Sequence, residues 1–232
     1  MRNRLIALLA VVALTAIPVF LYPYLELAPH WHSVIGIDVS SHQGEIDWPR
    51  VADAGVAFAY IKATEGGDFR DKRFLVNWLG AKSAGIARGA YHFFTACRSG
   101  AEQAQNFIAT VPREHGVLPP VIDAEHMGPC RERAQLKDLA AEIEVFMDAV
   151  ERYYGWRPLV YTTADFDDQV LQGRLENEKI WARSMVIAPR YRERQWLIWQ
   201  YHNHGRRPGI TGPVDLNVFR GSAADFARFA GD

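Results

Sequence analysis

Cysteine is nearly missing from this chain: Cys97 and Cys130 are the only two in 232 residues. Neither has another Cys or a His at ligand spacing, and His126 alone does not make a site, so no metal site is expected and no cofactor is implied. An excess of one charge is missing as well. Lys and Arg number 26 against 27 Asp and Glu, a net charge of −1, which removes the basic surplus that nucleic-acid binding needs. Arg206 and Arg207 form only a small local cluster, read as a solvated loop. No repeat of fixed period and no low-complexity segment is present. Long apolar runs are absent with one exception, Leu5 to Tyr22, which follows Arg2 and Arg4. A basic flank before such a run reads as a secretory signal or signal anchor. The run is about 18 residues, near the lower limit for spanning a bilayer. Without a convincing small-x-small cleavage site, an uncleaved anchor is favoured. The arginines are then expected on the cytoplasmic side and the rest of the chain outside, in the periplasm or on the cell-envelope side.

What remains is ordinary globular material, with apolar residues at 49%, enough for one sizeable core. Residues 1–32 are expected to form the anchor and a connector, and 33–232 one domain. From Val34 onward, strand-length apolar runs recur: Val34–Val39, Ala57–Ile61, Arg88–Phe94, Pro120–Ala124 and Pro158–Thr162. Helical spacing fills three of the gaps, over Phe74–Ala84, Ala101–Thr110 and Leu136–Tyr154, each stopped by Gly85, Pro112 or Gly155. Strands alternating with helices predict parallel βαβ units. The last third differs: Ile180–Arg183, Leu197–Tyr201 and Val214–Phe219 read as strands without helical periodicity between them. About eight strands with about five helical connections suggest an α/β barrel whose final strands lack helices.

The acidic residues fall where such a barrel needs them. Asp38 lies near the end of the first strand, Glu65 after the second, Asp123 and Glu125 at the close of the fourth, and Asp215 in the last. The C-terminal ends of barrel strands form the active face. Carboxylates converging there repel one another, which raises some of their pKa values and makes an acid usable at neutral pH. In Asp123-Ala124-Glu125 a spacing of two puts both side chains on one face of a strand. Glycoside hydrolysis needs two such nearby groups. An isolated D-x-E is more often a solvated loop start, but the Trp- and Tyr-bearing strands around this one make the two readings even.

Six ordered motifs carry a resemblance. Gly36-Ile37-Asp38-Val39-Ser40-Ser41-His42-Gln43-Gly44, with Ile46-Asp47-Trp48, is similar to the opening signature of glycoside hydrolase family 25, the Chalaropsis-type lysozymes. Tyr60 to Gly66, Gly89-Ala90-Tyr91-His92-Phe93, Pro120 to Glu125, Trp199-Gln200-Tyr201 and Val214 to Phe219 follow in the family's order. The resemblance implies an irregular TIM-like barrel of the (β/α)5(β)3 kind and cleavage of the β-1,4 bond between N-acetylmuramic acid and N-acetylglucosamine in peptidoglycan. It implies Glu125 as general acid and Asp123 as the residue orienting the substrate's acetamide. Asp38 and Asp215 would complete an acidic floor, and Tyr91, Tyr161, Trp199 and Glu65 would bind the sugar. These residues leave open whether a carboxylate or the substrate's own acetamide is the nucleophile. Asp123 is so close to Glu125 in sequence that the acetamide is favoured. One departure stands out: Ile180-Trp181-Ala182-Arg183 replaces the order Trp, apolar, Ala of many members, so Arg183 is expected to occupy or border the groove.

Two other readings compete: a catalytically silent peptidoglycan-binding envelope protein, against which the complete acidic set argues, and a chitinase-like hydrolase on the same barrel. The expected partners are glycan strands of peptidoglycan and the inner membrane through the N-terminal segment, with the chain a monomer. In an exported chain an even cysteine count also predicts a Cys97–Cys130 disulfide. Closing a loop of roughly 30 residues would contribute about 3–4 kcal/mol in the chain-entropy model. Alkylation of unreduced, exported protein should leave its mass unchanged; two added alkyl groups would refute the bridge.

Overall fold

The computed structural model describes Ala28 and residues 31–126, 136–185, 187–190 and 195–231. The apolar run from Leu5 to Tyr22 and Cys130 lie outside these residues. Among those described, no helix is long and apolar enough to cross a membrane, and Cys97 is disulfide-bonded.

The strands are β1 (Ile35–Val39), β2 (Phe58–Glu65), β3 (Phe69–Arg70), β4 (Ala87–Phe93), β5 (Val121–Ala124), β6 (Leu159–Thr163), β7 (Ile180–Arg183), β8 (Trp196–Gly205) and β9 (Val214–Phe219). The helices are α1 (Trp48–Asp53), α2 (Phe74–Ser83), α3 (Gly100–Thr110), α4 (Leu136–Tyr154) and α5 (Ala223–Ala230). Among the described residues eight strands close into a barrel in the order β1-β9-β8-β7-β6-β5-β4-β2, with β2 returning to β1. The two-residue β3 adds a short antiparallel arm to β2. Pairing is parallel from β1 through β2 and β4 to β8. Within the barrel of described residues only β9 runs antiparallel, to both β8 and β1. This is the helix-poor closure expected from the last third of the sequence. The fifth crossover is shortened to one helical turn, Ala164–Phe166, continuing into a wider turn at Asp167–Leu171.

A closed barrel buries both faces of its strands, so these strands are apolar runs rather than simple alternations. Outward residues such as Ile37, Ile61, Ile122 and Val160 pack under the helices. In α4 the buried positions Ala140, Ile143, Met147 and Val150 follow the helical period, with Phe146 beside them. Inward residues, among them Phe58, Tyr60, Val121, Leu159, Trp181 and Phe219, fill the barrel itself. Gly36 faces the Phe58 ring and Gly89 the Tyr60 ring; a Cβ at either would collide with that ring. Two small residues therefore make room for two large ones.

Three elements escape a periodicity reading because each is short. Helix α1 spans six residues, capped by the Asp47 side chain with Pro49 in its first turn. The β3 arm is the second. The third, α5, carries a capping box of Ser222 and Asp225 and ends on left-handed Gly231. It closes the lower mouth of the barrel: Phe226 lies 5.5 Å from Phe58 and 5.2 Å from Phe219, and Phe229 lies 5.4 Å from Phe219, between ring centres. Packing also begins before residue 33, since Ala28 is buried and the His32 ring stands edge-on to Trp196 at 5.1 Å.

Helices α3 and α4 approach closely at Gly100, whose N–H donates to Glu142 Oε2 at 2.6 Å. A Cβ on Gly100 would run into the Glu142 backbone carbonyl. Gly100→Ala should therefore cost about 1–3 kcal/mol, the usual penalty for overpacking, seen as a lower urea midpoint. Gly212→Ala, with open space around it, serves as the control and should leave the midpoint where it is.

Candidate active site

At the C-terminal ends of the parallel strands the inward positions turn polar. Asp38 lies on β1, Lys62 on β2, Tyr91 on β4, Asp123 on β5, Tyr161 on β6, Arg183 on β7, Gln200 on β8 and Asp215 on β9, and all of them line one cavity of about 360 Å³. Glu125, one residue past β5, joins them. Ser40, His42, Gln43 and Asn203 form part of its rim.

Asp38 and Asp215 are direct partners across the antiparallel β1–β9 pair. Two carboxylates so placed in a buried site cannot both ionise. Burial first, and Asp38 second, push Asp215 up to about 9. Asp215 is accordingly protonated and hydrogen-bonded to Asp38. Asp38 also accepts from Gln200 Nε2 at 2.9 Å and Asn217 Nδ2 at 2.8 Å through its Oδ2. Its pKa is nevertheless raised, because burial outweighs these donors. The donors are themselves fixed. Tyr161 donates its hydroxyl to Gln200 Oε1 at 2.9 Å, and the Trp181 indole donates to Asn217 Oδ1 at 2.8 Å. Trp181 in turn packs between Tyr60 and Tyr161, with ring centres at 5.0 and 5.1 Å.

Asp123 lies deeper than Glu125. Burial, then the charge of Glu125, then that of Asp38 raise its pKa well above the carboxylate range. Among the described residues its Oδ1 is buried without a hydrogen-bond partner, an acceptor (or, protonated, a donor) awaiting a group from outside the protein. Glu125 also has a raised pKa. Burial is the main cause, opposed by Arg183, whose Nη1 lies 3.1 Å from Glu125 Oε2.

The expected acids Asp38, Asp123, Glu125 and Asp215 thus meet in one place, as do Tyr91 and Tyr161, and Arg183 enters the cavity. Two expectations need correction. Trp199 faces outward: it is 1% exposed among the outer-layer residues, and its indole donates to the Ser184 carbonyl at 2.6 Å. Strand period two explains this, because Gln200 beside it points inward, and the tryptophan that lines the cavity is Trp181 on β7 instead. Glu65 does not line the cavity; it holds Lys62 Nζ at 2.7 Å, and Lys62 does. Lys62, Trp181, Gln200 and Asn217 were not among the expected site residues. Counting by twos from Tyr60, Arg183 and Asp215 would have found all but Gln200, which the β7–β8 register sets opposite Arg183.

The comparisons with known proteins agree with this geometry. Residues 37–210 match the model of the family described as Glycosyl hydrolases family 25. The chain is 37% identical over 209 residues to Lysozyme M1 of Streptomyces globisporus, covering 85% of this chain and 71% of that protein. It is 30% identical over 218 residues to an N,O-diacetylmuramidase of Arthroderma benhamiae, covering 90% and 91%. Among solved structures, a family 25 glycosyl hydrolase from Bacillus anthracis superposes with a TM-score of 0.81 at 36% identity, covering 86% of this chain and 94% of that one.

The buried acids carry a stability cost that depends on pH. A folded pKa of about 9 against 3.8 for Asp215 means that the folded state binds the extra proton between those values. Stability is then full below about pH 4 and is lost as pH rises toward about 9. Asp215→Asn keeps a donor to Asp38 without the ionisation. Melting curves of the two proteins should nearly coincide at about pH 4, and the variant should melt several degrees higher at pH 9. A gap that stays constant with pH would contradict the assignment.

Proposed function

The chain belongs to glycosyl hydrolases family 25, and from this we propose that it is a muramidase, cutting the β-1,4 bond between N-acetylmuramic acid and N-acetylglucosamine in peptidoglycan with Glu125 as the proton donor. One observation carries the assignment of roles: of the four carboxyls in the cavity, the proton of Asp215 is engaged by Asp38, and Asp38 is occupied by Gln200 and Asn217. That leaves Glu125 and Asp123 for chemistry. Both have raised pKa values, and Glu125, just past the end of β5 and in contact with Arg183, is assigned the proton that goes to the leaving glycosidic oxygen.

Asp123 is assigned to the substrate's acetamide. Its unpartnered buried oxygen suits the acetamide N–H; once Glu125 is neutral its charge no longer opposes ionisation of Asp123, and a carboxylate there stabilises the positive charge that develops as the acetamide oxygen attacks the anomeric carbon. The intermediate is then an oxazolinium ion, and water opens it with net retention, a recognised exception to the two-carboxylate scheme. Tyr91, Tyr161 and Trp181 supply the walls against which sugar rings sit. Export, and retention at the membrane by the segment from Leu5 to Tyr22, are part of the proposal, supported by that segment's basic flank and apolar length. So is the monomeric state: the cavity is lined within one copy of the chain.

Glu125→Gln should reduce hydrolysis of purified peptidoglycan about 10²–10⁴-fold with an unchanged melting curve; a folded variant of near-normal activity removes Glu125 from its role. Asp123→Asn should lower kcat far more than it raises KM, since its contribution arises in the transition state. The new reducing end identifies the bond cut. The first anomer seen by NMR decides the mechanism: β supports the acetamide route, and α means inversion by an activated water.

A further inference from the structure

Arg183 sets a contradiction inside the site. An acid catalyst must be neutral before it can give up its proton, whereas a guanidinium 3.1 Å away favours the ionised form. Moving Arg183 aside would leave Glu125 among groups that all favour its protonation or are already engaged. Asp38 and Asp165 raise its pKa, Asp123 is its immediate acidic neighbour, and Asp215 faces it from β9. Lys62 is held by Glu65, and Tyr91 and Tyr161 stay neutral at any working pH because burial pushes both hydroxyls up. His126, next in the chain, stands edge-on to Phe166.

Arg183 is also the cavity cation best placed to reach a ligand. Its side chain is 29% exposed against 9% for Glu125, at the open end of β7. Arginine presents a planar fork matched to carboxylates. Resting on the muramidase reading above, we propose that Arg183 is a specificity residue which exchanges Glu125 for a carboxylate on the muramyl side of the glycan. That carboxylate is either the lactyl group, where the stem peptide has been removed, or one on the stem itself. Once the guanidinium is transferred, Glu125 takes a proton from solvent and becomes the neutral acid. Binding of a charged substrate thereby arms the catalyst, and a neutral polymer of N-acetylglucosamine does not.

The test compares wild type with Arg183→Met on four substrates: intact peptidoglycan, the same wall with its carboxylates amidated, peptide-free glycan, and amidated peptide-free glycan. Wild type should favour charged over amidated glycan by about tenfold or more in KM, the scale of one charge-assisted hydrogen bond. In Arg183→Met that preference should vanish. Loss on the peptide-free pair identifies the lactyl carboxylate; loss on the intact pair alone identifies the stem. The alkaline limb of kcat/KM, which reports the free enzyme, should move to higher pH in the variant, because the cation that favours ionised Glu125 is gone. A purely structural arginine would not move it. Arg183→Gln, also neutral, must behave alike should Arg183→Met fold poorly. A preference that persists in both variants, or an alkaline limb that stays in place, overturns the inference. Failure of wild type to cut any of the four would instead overturn the muramidase reading.

Discussion

Asp38 is where the site is anchored, and its charge is the constraint around which the surrounding residues are arranged. A carboxylate in a buried cavity survives only if donors replace the water it has lost. Here the donors come from three directions: Gln200 on β8, Asn217 on β9 and the proton of Asp215. Each amide is held at its other end by an aromatic side chain, Tyr161 or Trp181. The hydrogen bonds around Asp38 and the aromatic packing beneath them are therefore one connected network, and such networks rigidify a structure. The antiparallel β9 makes this possible, since its N-terminal end lies at the active face and sets Asp215 directly beside Asp38.

Once that pair shares a proton, the remaining carboxyls are differentiated by depth and by neighbours. Asp123 is unpartnered on one oxygen, and Glu125 meets Arg183. Environments that push like groups apart are how a single residue type supplies two roles. The lower half of the barrel contributes rigidity rather than chemistry. Phe58, Tyr60 and Phe219 fill it, and α5 seals it with Phe226 and Phe229.

Much of this could be read along the chain, and what could not has common causes. Strands β1, β2, β4 to β9 and helices α2 to α4 were visible because apolar periodicity and Gly or Pro stops extend over enough residues to be counted. Helix α1, the β3 arm and α5 are too short for that, although Ser222 and Asp225 spell a capping box. Asp38, Asp123, Glu125 and Asp215 stood out because carboxylates at strand ends are conspicuous. Gln200 and Asn217 did not, since neutral amides signal nothing until their partners are known. Trp199 misled because its residue type suits a sugar and its neighbour's side of the strand does not.

By itself, then, the sequence determined the order of strands and helices, the family and the set of acids, because periodicity, stop residues and ordered motifs are properties of neighbouring positions. Which acid holds a proton, which aromatic faces the cavity and which charge meets Glu125 were decided only by the tertiary structure. Each depends on inter-strand register and burial. Asp38 meets Asp215 across 177 positions of chain because β9 closes the barrel antiparallel to β1. Arg183 meets Glu125 because an inward position on β7 opens onto the same mouth as the end of β5.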